Sequence, residues 1–135
     1  MVTAAGTEPS RTGAGNLNLP AFSYYRRLDR FRDFVLSHYS EPISLADAAR
    51  VAGMERTAFS SFFHRTTGVC YRDWLAAVRV AKAKELMTGS NLTVHEIGSR
   101  VGYRSVRTFE RVFLRMTGHS PIQFKTFARP GLPPP

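Results

Sequence analysis

Apolar residues recur every three or four positions along most of the chain after residue 21, which is the spacing of amphipathic helices. The first of these stretches ends at Ser40-Glu41-Pro42 and carries Tyr24 or Tyr25, Leu28, Phe31, Val35 and Tyr39. No stretch alternates apolar and polar residues with period two over the length of a strand. We therefore predict an all-α fold of about seven helices.

One pattern of residues occurs twice, about fifty positions apart. The first copy runs from Ser44 to Gly68 and the second from Thr93 to Gly118. Up to the glycines in the middle of each copy the offset is 49 residues, and after them it is 50 residues. The second copy therefore holds one extra residue after its glycine.

Each copy begins with a helix-capping pattern and contains a turn. Ser44-x-x-Asp47 and Thr93-x-x-Glu96 are capping boxes, in which a hydroxyl and an acid satisfy amides at a helix start. Small residues, Ala48, Ala49 or Gly98, allow another helix to approach each short helix closely. A glycine able to take positive φ follows, and a sharp turn leads into a second helix, at about residues 56–66 and 106–116. Each copy is thus a helix-turn-helix unit, with Phe59, Phe62, Phe63 or Phe109, Val112, Phe113 facing inward.

The predicted boundaries divide the chain into an arm, a domain and a tail. Residues 1–20 lack apolar periodicity and predict a disordered arm, and the proline-rich residues 129–135 predict a disordered tail. Residues 21–128 form the domain, with the first unit at about 44–67, a linking helix at about 71–88 and the second unit at about 93–117. Ser120-Pro121 predicts the start of a last helix.

Charge and cysteine content narrow the class of protein. Nineteen Lys and Arg residues against ten Asp and Glu give a formal charge of +9, which favours a polyanionic partner. The single Cys70 excludes an internal disulfide, and no run of about eighteen apolar residues exists. We expect a soluble cytoplasmic protein with no catalytic residues, metal site or cofactor, because no such constellation is visible.

The second copy carries a long motif: Ile97-Gly98-x-x-Val101-Gly102-Tyr103-x-Ser105-x-x-x-Phe109-x-Arg111-x-Phe113-x-Arg115-x-x-Gly118-x-Ser120-Pro121-x-x-Phe124-Lys125. With Trp74-Leu75, Arg79, Ala83 and Leu86-Met87 in the linking helix, it resembles the DNA-binding domain of the AraC/XylS transcription regulators over about residues 31–127. The resemblance implies two homeodomain-like, three-helical units on one linking helix. It also implies that their recognition helices enter successive major grooves of double-stranded DNA.

The resemblance further implies which residues contact DNA. Candidate base-reading residues are Arg56, Thr57, Ser60 and Ser61 in the first unit and Val106, Arg107, Thr108, Glu110 and Arg111 in the second. Candidate phosphate contacts are His64, Arg65, Arg104, Arg115 and Lys125. Because arginine grips guanine bidentately and hydroxyls discriminate little, we expect the second helix to supply most of the specificity. Glu110 either accepts from cytosine or, as we prefer, pairs with Arg107 or Arg111.

Three departures from the family pattern stand out. Gly98 replaces the usual alanine and is expected to loosen its short helix by about 0.5 to 1 kcal/mol. Cys70-Tyr71 replaces Ser-Pro and gives the first unit a weaker cap. Ser61 stands where many relatives carry a base-reading arginine. Arg79 and Arg100 are expected to be structural, pairing for example with Asp73, Glu85 or Glu96.

By this resemblance the chain is expected to be a transcription regulator, an activator by family analogy, with RNA polymerase as a further partner. No small-molecule effector site is expected in this chain, which is either a stand-alone protein or a fragment of a longer regulator. Two alternatives stay open: a helix-turn-helix module that binds another protein, and a repressor with weak specific DNA binding. An enzyme using Cys70 has little support.

Overall fold

The computed structural model describes residues 26–127, which form seven helices and, within that range, no strand. The helices are α1 (Arg26–His38), α2 (Leu45–Ala52), α3 (Arg56–Thr67), α4 (Tyr71–Gly89), α5 (Val94–Arg100), α6 (Val106–Thr117) and α7 (Pro121–Phe127). The all-α prediction is confirmed, and the predicted helix limits agree to within two residues. The predicted arm and tail, and the apolar residues before Arg26, lie outside the described residues.

The described chain divides into two compact units. The first contains residues 26–38 and 43–75, and the second contains residues 39–42 and 76–127. The linking helix α4 supplies Tyr71 to Leu75 to the first unit and the rest of its length to the second. One continuous helix therefore contributes to both cores.

Aromatic rings fill the core of the first unit. Phe31 of α1 lies with its ring centroid 5.2 Å from Phe59, 5.7 Å from Phe63 and 5.5 Å from Trp74. All four rings are almost completely buried, and Phe31 packs edge-to-face against Phe59 and Phe63, an arrangement that stabilises a core beyond its buried area. These rings hold α3 against α1 and α4 and fix which of its faces points outward.

The core of the second unit repeats this arrangement with more aliphatic residues. Phe109 and Phe113 of α6 are fully buried together with Ile97, Val101 and Met87. The Phe113 ring lies 5.5 Å from that of Phe124 in α7. As in the first unit, two phenylalanines one helical turn apart set the orientation of the second helix of the motif.

Both predicted capping boxes are formed. Ser44 Oγ accepts from Asp47 N at 3.0 Å, and Ser44 N donates to the Asp47 carboxylate at 3.1 Å. Thr93 Oγ1 accepts from Glu96 N at 3.1 Å, and Thr93 N donates to Glu96 at 2.8 Å. These bonds satisfy amides that have no partner inside the helix, so they fix where α2 and α5 begin.

The turn of each unit has a glycine with positive φ. Gly53 has φ +73° and Gly102 has φ +110°, a region that side-chain-bearing residues rarely adopt. Gly53 lies two residues before Glu55, the N-cap of α3, and Gly102 lies three residues before Ser105, the N-cap of α6. The extra residue predicted in the second turn therefore lies between Gly102 and Ser105.

Arg79 on α4 links the segment after α1 to the turn of the second unit. Its Nε donates to the Tyr39 carbonyl at 2.8 Å, one terminal nitrogen donates to the Glu41 carbonyl at 2.9 Å, and the guanidinium lies 5.2 Å from the Tyr103 ring centroid. The prediction of a structural arginine is confirmed, but the expected carboxylate partners are replaced by carbonyls. Residues 39–41 have left α1, so their carbonyls need a donor from elsewhere in the fold.

Gly98 has a packing role that the sequence prediction only partly described. A Cβ at this position would lie 2.9, 3.0 and 3.1 Å from the Cδ2, Cγ and Cβ atoms of Phe109. The close approach of α5 and α6 therefore requires the missing side chain, which offsets the lower helix propensity of glycine.

Replacing Gly98 with alanine is expected to lower the free energy of unfolding by about 1 kcal/mol. The gain in helix propensity of about 0.5 to 1 kcal/mol is outweighed by overpacking of about 1 to 3 kcal/mol, because Phe109 is fully buried and its backbone-bound Cβ would lie 3.1 Å from the added carbon. Urea unfolding would measure the change. Ser99→Ala, at an exposed neighbouring position of α5, is the control and should not destabilise; an equally stable Gly98→Ala protein would contradict the packing explanation.

Candidate nucleic-acid interface

The outer face of α3 is polar and weakly charged. Phe59 and Phe63 point into the core, and the exposed residues on the opposite side are Thr57, Ser61, His64 and Arg65. They follow the i, i+4, i+7 and i+8 spacing that places side chains on one helix face. This face presents hydroxyls near its N-terminal end and cationic or titratable groups near its C-terminal end.

The outer face of α6 has the same geometry and a different chemistry. Phe109 and Phe113 are buried, and the exposed residues opposite them are Arg107, Arg111, Leu114 and Arg115. Each lies 50 residues after its counterpart on α3. Three guanidinium groups therefore lie along one exposed face, where the first unit has one.

The two helices also differ at their N-caps. Ser105 Oγ accepts from Thr108 N at 3.3 Å, whereas in the first unit Glu55 Oε1 accepts from Ala58 N at 3.0 Å. Hydrogen bonds from the backbone amides of Thr57 and Ala58 lower the pKa of the Glu55 carboxyl. One recognition helix thus begins at a neutral hydroxyl and the other at an ionised carboxylate.

Three predicted base-reading residues are half-buried rather than fully exposed: Ser60, Val106 and Thr108. Ser60 lines a cleft of about 540 Å³ in the first unit, together with Ile43, Cys70, Arg72 and other residues. It therefore lies at the edge of the outer face of α3. The remaining candidates, Arg56, Thr57, Ser61, Arg107, Glu110 and Arg111, are exposed.

Glu110 is exposed on α6, but the preferred pairing is not formed. Within the described part of the chain, ion pairs within 4.0 Å join Arg32, Arg50 and Lys82, among others, to nearby acids, and Glu110 takes part in none of them. In solvent, the cost of ordering two long side chains cancels most of the attraction between them. The other alternative, acceptance from cytosine, stays a prediction.

The candidate phosphate contacts have different surroundings. His64, Arg65, Arg104 and Arg115 are exposed, whereas Lys125 is half-buried and its Nζ donates to the Leu92 carbonyl at 2.7 Å. An ammonium group has three donors, so two of them are still available to a phosphate. Arg100 is also exposed. The pKa of Glu96 is lowered mainly by hydrogen bonds from Thr93, and to a smaller extent by the positive charge of Arg100.

Two residues of these faces were missed by the sequence interpretation. Leu114 has 50% of its surface exposed on the outer face of α6. Glu55 caps α3. The repeat offset of 50 residues was the available signal for both, because it pairs Leu114 with His64 and Ser105 with Glu55.

Comparison with known proteins assigns this architecture to a family. A family profile described as "Helix-turn-helix domain" matches residues 48–126, more than half of the chain. The crystal structure of the DNA-binding domain of AdpA, the global transcriptional factor, in complex with a target DNA covers 78% of this chain and 95% of its own, with a TM-score of 0.73 and 30% identity. The chain belongs to the AraC/XylS family of transcription regulators. An AraC-type regulator from Chromobacterium violaceum shares the fold, with a TM-score of 0.71 over 78% of this chain and 94% of its own at 18% identity.

This chain covers only a minor part of two curated relatives that it matches. The transcriptional regulator ExsA of Pseudomonas aeruginosa is 29% identical over 96 residues, which is 71% of this chain and 34% of ExsA. The transcriptional activator Btr of Bacillus subtilis is 30% identical over 85 residues, which is 63% of this chain and 16% of Btr. The chain therefore spans about a third of the length of ExsA and about a sixth of that of Btr. None of the helices within residues 26–127 is both long enough and apolar enough to cross a bilayer.

Proposed function

We propose that this protein binds double-stranded DNA in a sequence-specific manner to regulate transcription, with α6 as the main reader of bases. The observation that carries the proposal is the outer face of α6, where Arg107, Arg111 and Arg115 are exposed in a row opposite a fully buried aromatic core. The buried Phe109 and Phe113 orient this helix, so its arginines are presented without a rearrangement of the fold.

The outer faces of α3 and α6 differ in how well their side chains can discriminate between bases. An arginine facing a guanine donates two hydrogen bonds to O6 and N7 and gains about 1 to 3 kcal/mol of discrimination. Thr57 and Ser61 on α3 carry hydroxyls, which donate to or accept from nearly any base edge. We therefore assign most of the base discrimination to Arg107 and Arg111, and weaker reading to Arg56, Thr57, Ser60 and Ser61.

Cations outside these positions serve to hold the duplex. His64, Arg65, Arg104, Arg115 and Lys125 are the proposed phosphate contacts, which fix position without reading sequence. The formal charge of +9 supports this role, because phosphate neutralisation supplies most of the sequence-independent affinity. The solved complex of the AdpA domain with its target DNA adds independent support at 30% identity.

For the direction of regulation, we propose activation, with RNA polymerase as the protein partner and the bacterial cytoplasm as the location. The similarity to Btr, whose name describes a transcriptional activator, supports this direction. A promoter-reporter assay tests it: expression should rise when the protein is added, and a fall would assign repression instead.

The test of DNA binding is selection of bound duplexes from a random-sequence library at about 0.15 M salt, where non-specific binding is already weakened. We expect enrichment of an asymmetric site with two parts. One part should have a well-defined sequence that contains guanines, and the other should be more degenerate. Absence of any enrichment, with binding that disappears as salt rises, would contradict the proposal and favour a module that binds another protein.

A further inference from the structure

The N-cap of α3 carries a negative charge next in sequence to the proposed base-reading residues Arg56 and Thr57. Glu55 is exposed, and its Oε1 accepts from Ala58 N at 3.0 Å, so the carboxylate folds back onto the first turn of α3. Hydrogen bonds from the backbone amides of Thr57 and Ala58 lower the pKa of the Glu55 carboxyl, so the group stays ionised at neutral pH. The charge is therefore held in one place beside Arg56 and Thr57 rather than spread over many rotamers.

The second unit performs the same capping without charge. Ser105 is the counterpart of Glu55, and its hydroxyl accepts from Thr108 N, the equivalent amide of α6. Both caps have extended backbone angles and both helices begin at the following residue. The two N-caps therefore differ by one negative charge, and the first helical residue is Arg56 in α3 and Val106 in α6.

A negative charge at the N-cap of α3 changes the electrostatic attraction between this helix end and DNA phosphates. The amides at a helix N-terminus carry a partial positive charge of about half an elementary charge, which attracts phosphate. Recognition helices of helix-turn-helix proteins approach the major groove with their N-terminal residues. A carboxylate at the N-cap of α3 cancels the helix charge and repels nearby phosphates.

We propose that Glu55 sets the strength of DNA binding by the first unit: its carboxylate weakens the sequence-independent attraction between α3 and the phosphate backbone. This inference rests on the proposed function. As a result, α3 contributes little to binding of arbitrary DNA, and the arginines of α6 determine which duplex is held.

The test exchanges the two caps. Glu55→Ser copies Ser105 into the first unit, and serine is a good N-cap, so the fold should be retained. Affinity for a scrambled duplex should rise about threefold to tenfold, and the slope of log K against log salt should steepen by about one. The binding constants would be measured by fluorescence anisotropy between about 0.05 and 0.2 M salt, on both the selected and the scrambled duplex.

Three further variants separate charge from other effects. Ser105→Glu makes the reverse exchange and should weaken binding by a similar factor with a shallower salt slope. Glu55→Gln keeps the size of the side chain without its charge and should behave like Glu55→Ser. Asp33→Asn makes the same change of net charge on α1, at an exposed position outside α3, and should leave the affinity nearly unchanged. Thermal unfolding would confirm that all variants are folded.

The outcomes distinguish the inference from the function it rests on. If Glu55→Ser binds the scrambled duplex no more tightly than the parent, or with an unchanged salt slope, the inference is overturned even when the parent discriminates strongly. If the affinity and slope change as expected but the parent shows no preference for the selected duplex, the electrostatic role of Glu55 is supported while sequence-specific binding fails.

Discussion

Replacing Gly102 with alanine is expected to destabilise the protein by about 3 kcal/mol. The φ of +110° already penalises an L side chain by about 1 to 2 kcal/mol, and a Cβ there would lie 3.0 Å from the Tyr39 carbonyl oxygen and from Arg79 Nε and Cζ. The oxygen has little freedom to retreat, because it accepts from Arg79 Nε at 2.8 Å. Urea unfolding monitored by circular dichroism would give the change.

The first unit supplies the matched control for this prediction. Gly53 occupies the equivalent turn position, with φ +73°, and a Cβ there would meet no atom within 4 Å. Gly53→Ala should therefore cost only the backbone penalty of about 1 to 2 kcal/mol. Equal losses for the two variants would show that the Arg79 contact adds nothing at Gly102.

Replacing Arg111 with alanine is expected to reduce affinity for the selected duplex by about 1 to 3 kcal/mol and to remove discrimination at one guanine position. Arg111 is exposed on α6 and contributes nothing to the buried core, so the fold should be unaffected. The measurement is competition binding against duplexes that carry each single base-pair change. A uniform loss across all duplexes would reassign Arg111 to a phosphate contact.

Ser61→Ala is the control for Arg111→Ala, because Ser61 is the counterpart of Arg111 on α3 and is equally exposed. Removal of one hydroxyl from a face of low discrimination should change the affinity by less than about 0.5 kcal/mol. A larger loss for Ser61→Ala than for Arg111→Ala would reverse the proposed division of work between α3 and α6.

The sequence predicted those features of the fold that depend on local chemistry. The two capping boxes, the glycine turns and the Ser120-Pro121 start depend on residues within four positions of one another, so their patterns are readable along the chain. The inward positions of Phe59 and Phe109 followed from helical spacing in the same way. Repetition strengthened both sets of predictions, because each element had a counterpart to compare.

Contacts between distant residues could not be predicted in this way. The bonds of Arg79 to the carbonyls of Tyr39 and Glu41 span about forty positions, and nothing in the local pattern indicates an acceptor at the end of α1. The contact of Gly98 with Phe109 depends on the distance between two helix axes. The predicted close approach of a helix at Gly98 is confirmed, but the identity of the contacting residue, Phe109, could not be predicted, since propensity describes one helix and packing involves two.

The extra residue between Gly102 and Ser105 has a consequence for protein engineering. With the extra residue present, the backbone hydrogen bonds that close the preceding helix are still formed, from Gly102 N to Ser99 O and from Tyr103 N to Gly98 O. The N-cap hydrogen bond of α6 is formed as well. Segment length can therefore vary here without changing helix register. A chimera that exchanges the chain from this turn to the end of α6 should keep the fold if it retains Tyr103, Phe109 and Phe113, which contact the rest of the second unit.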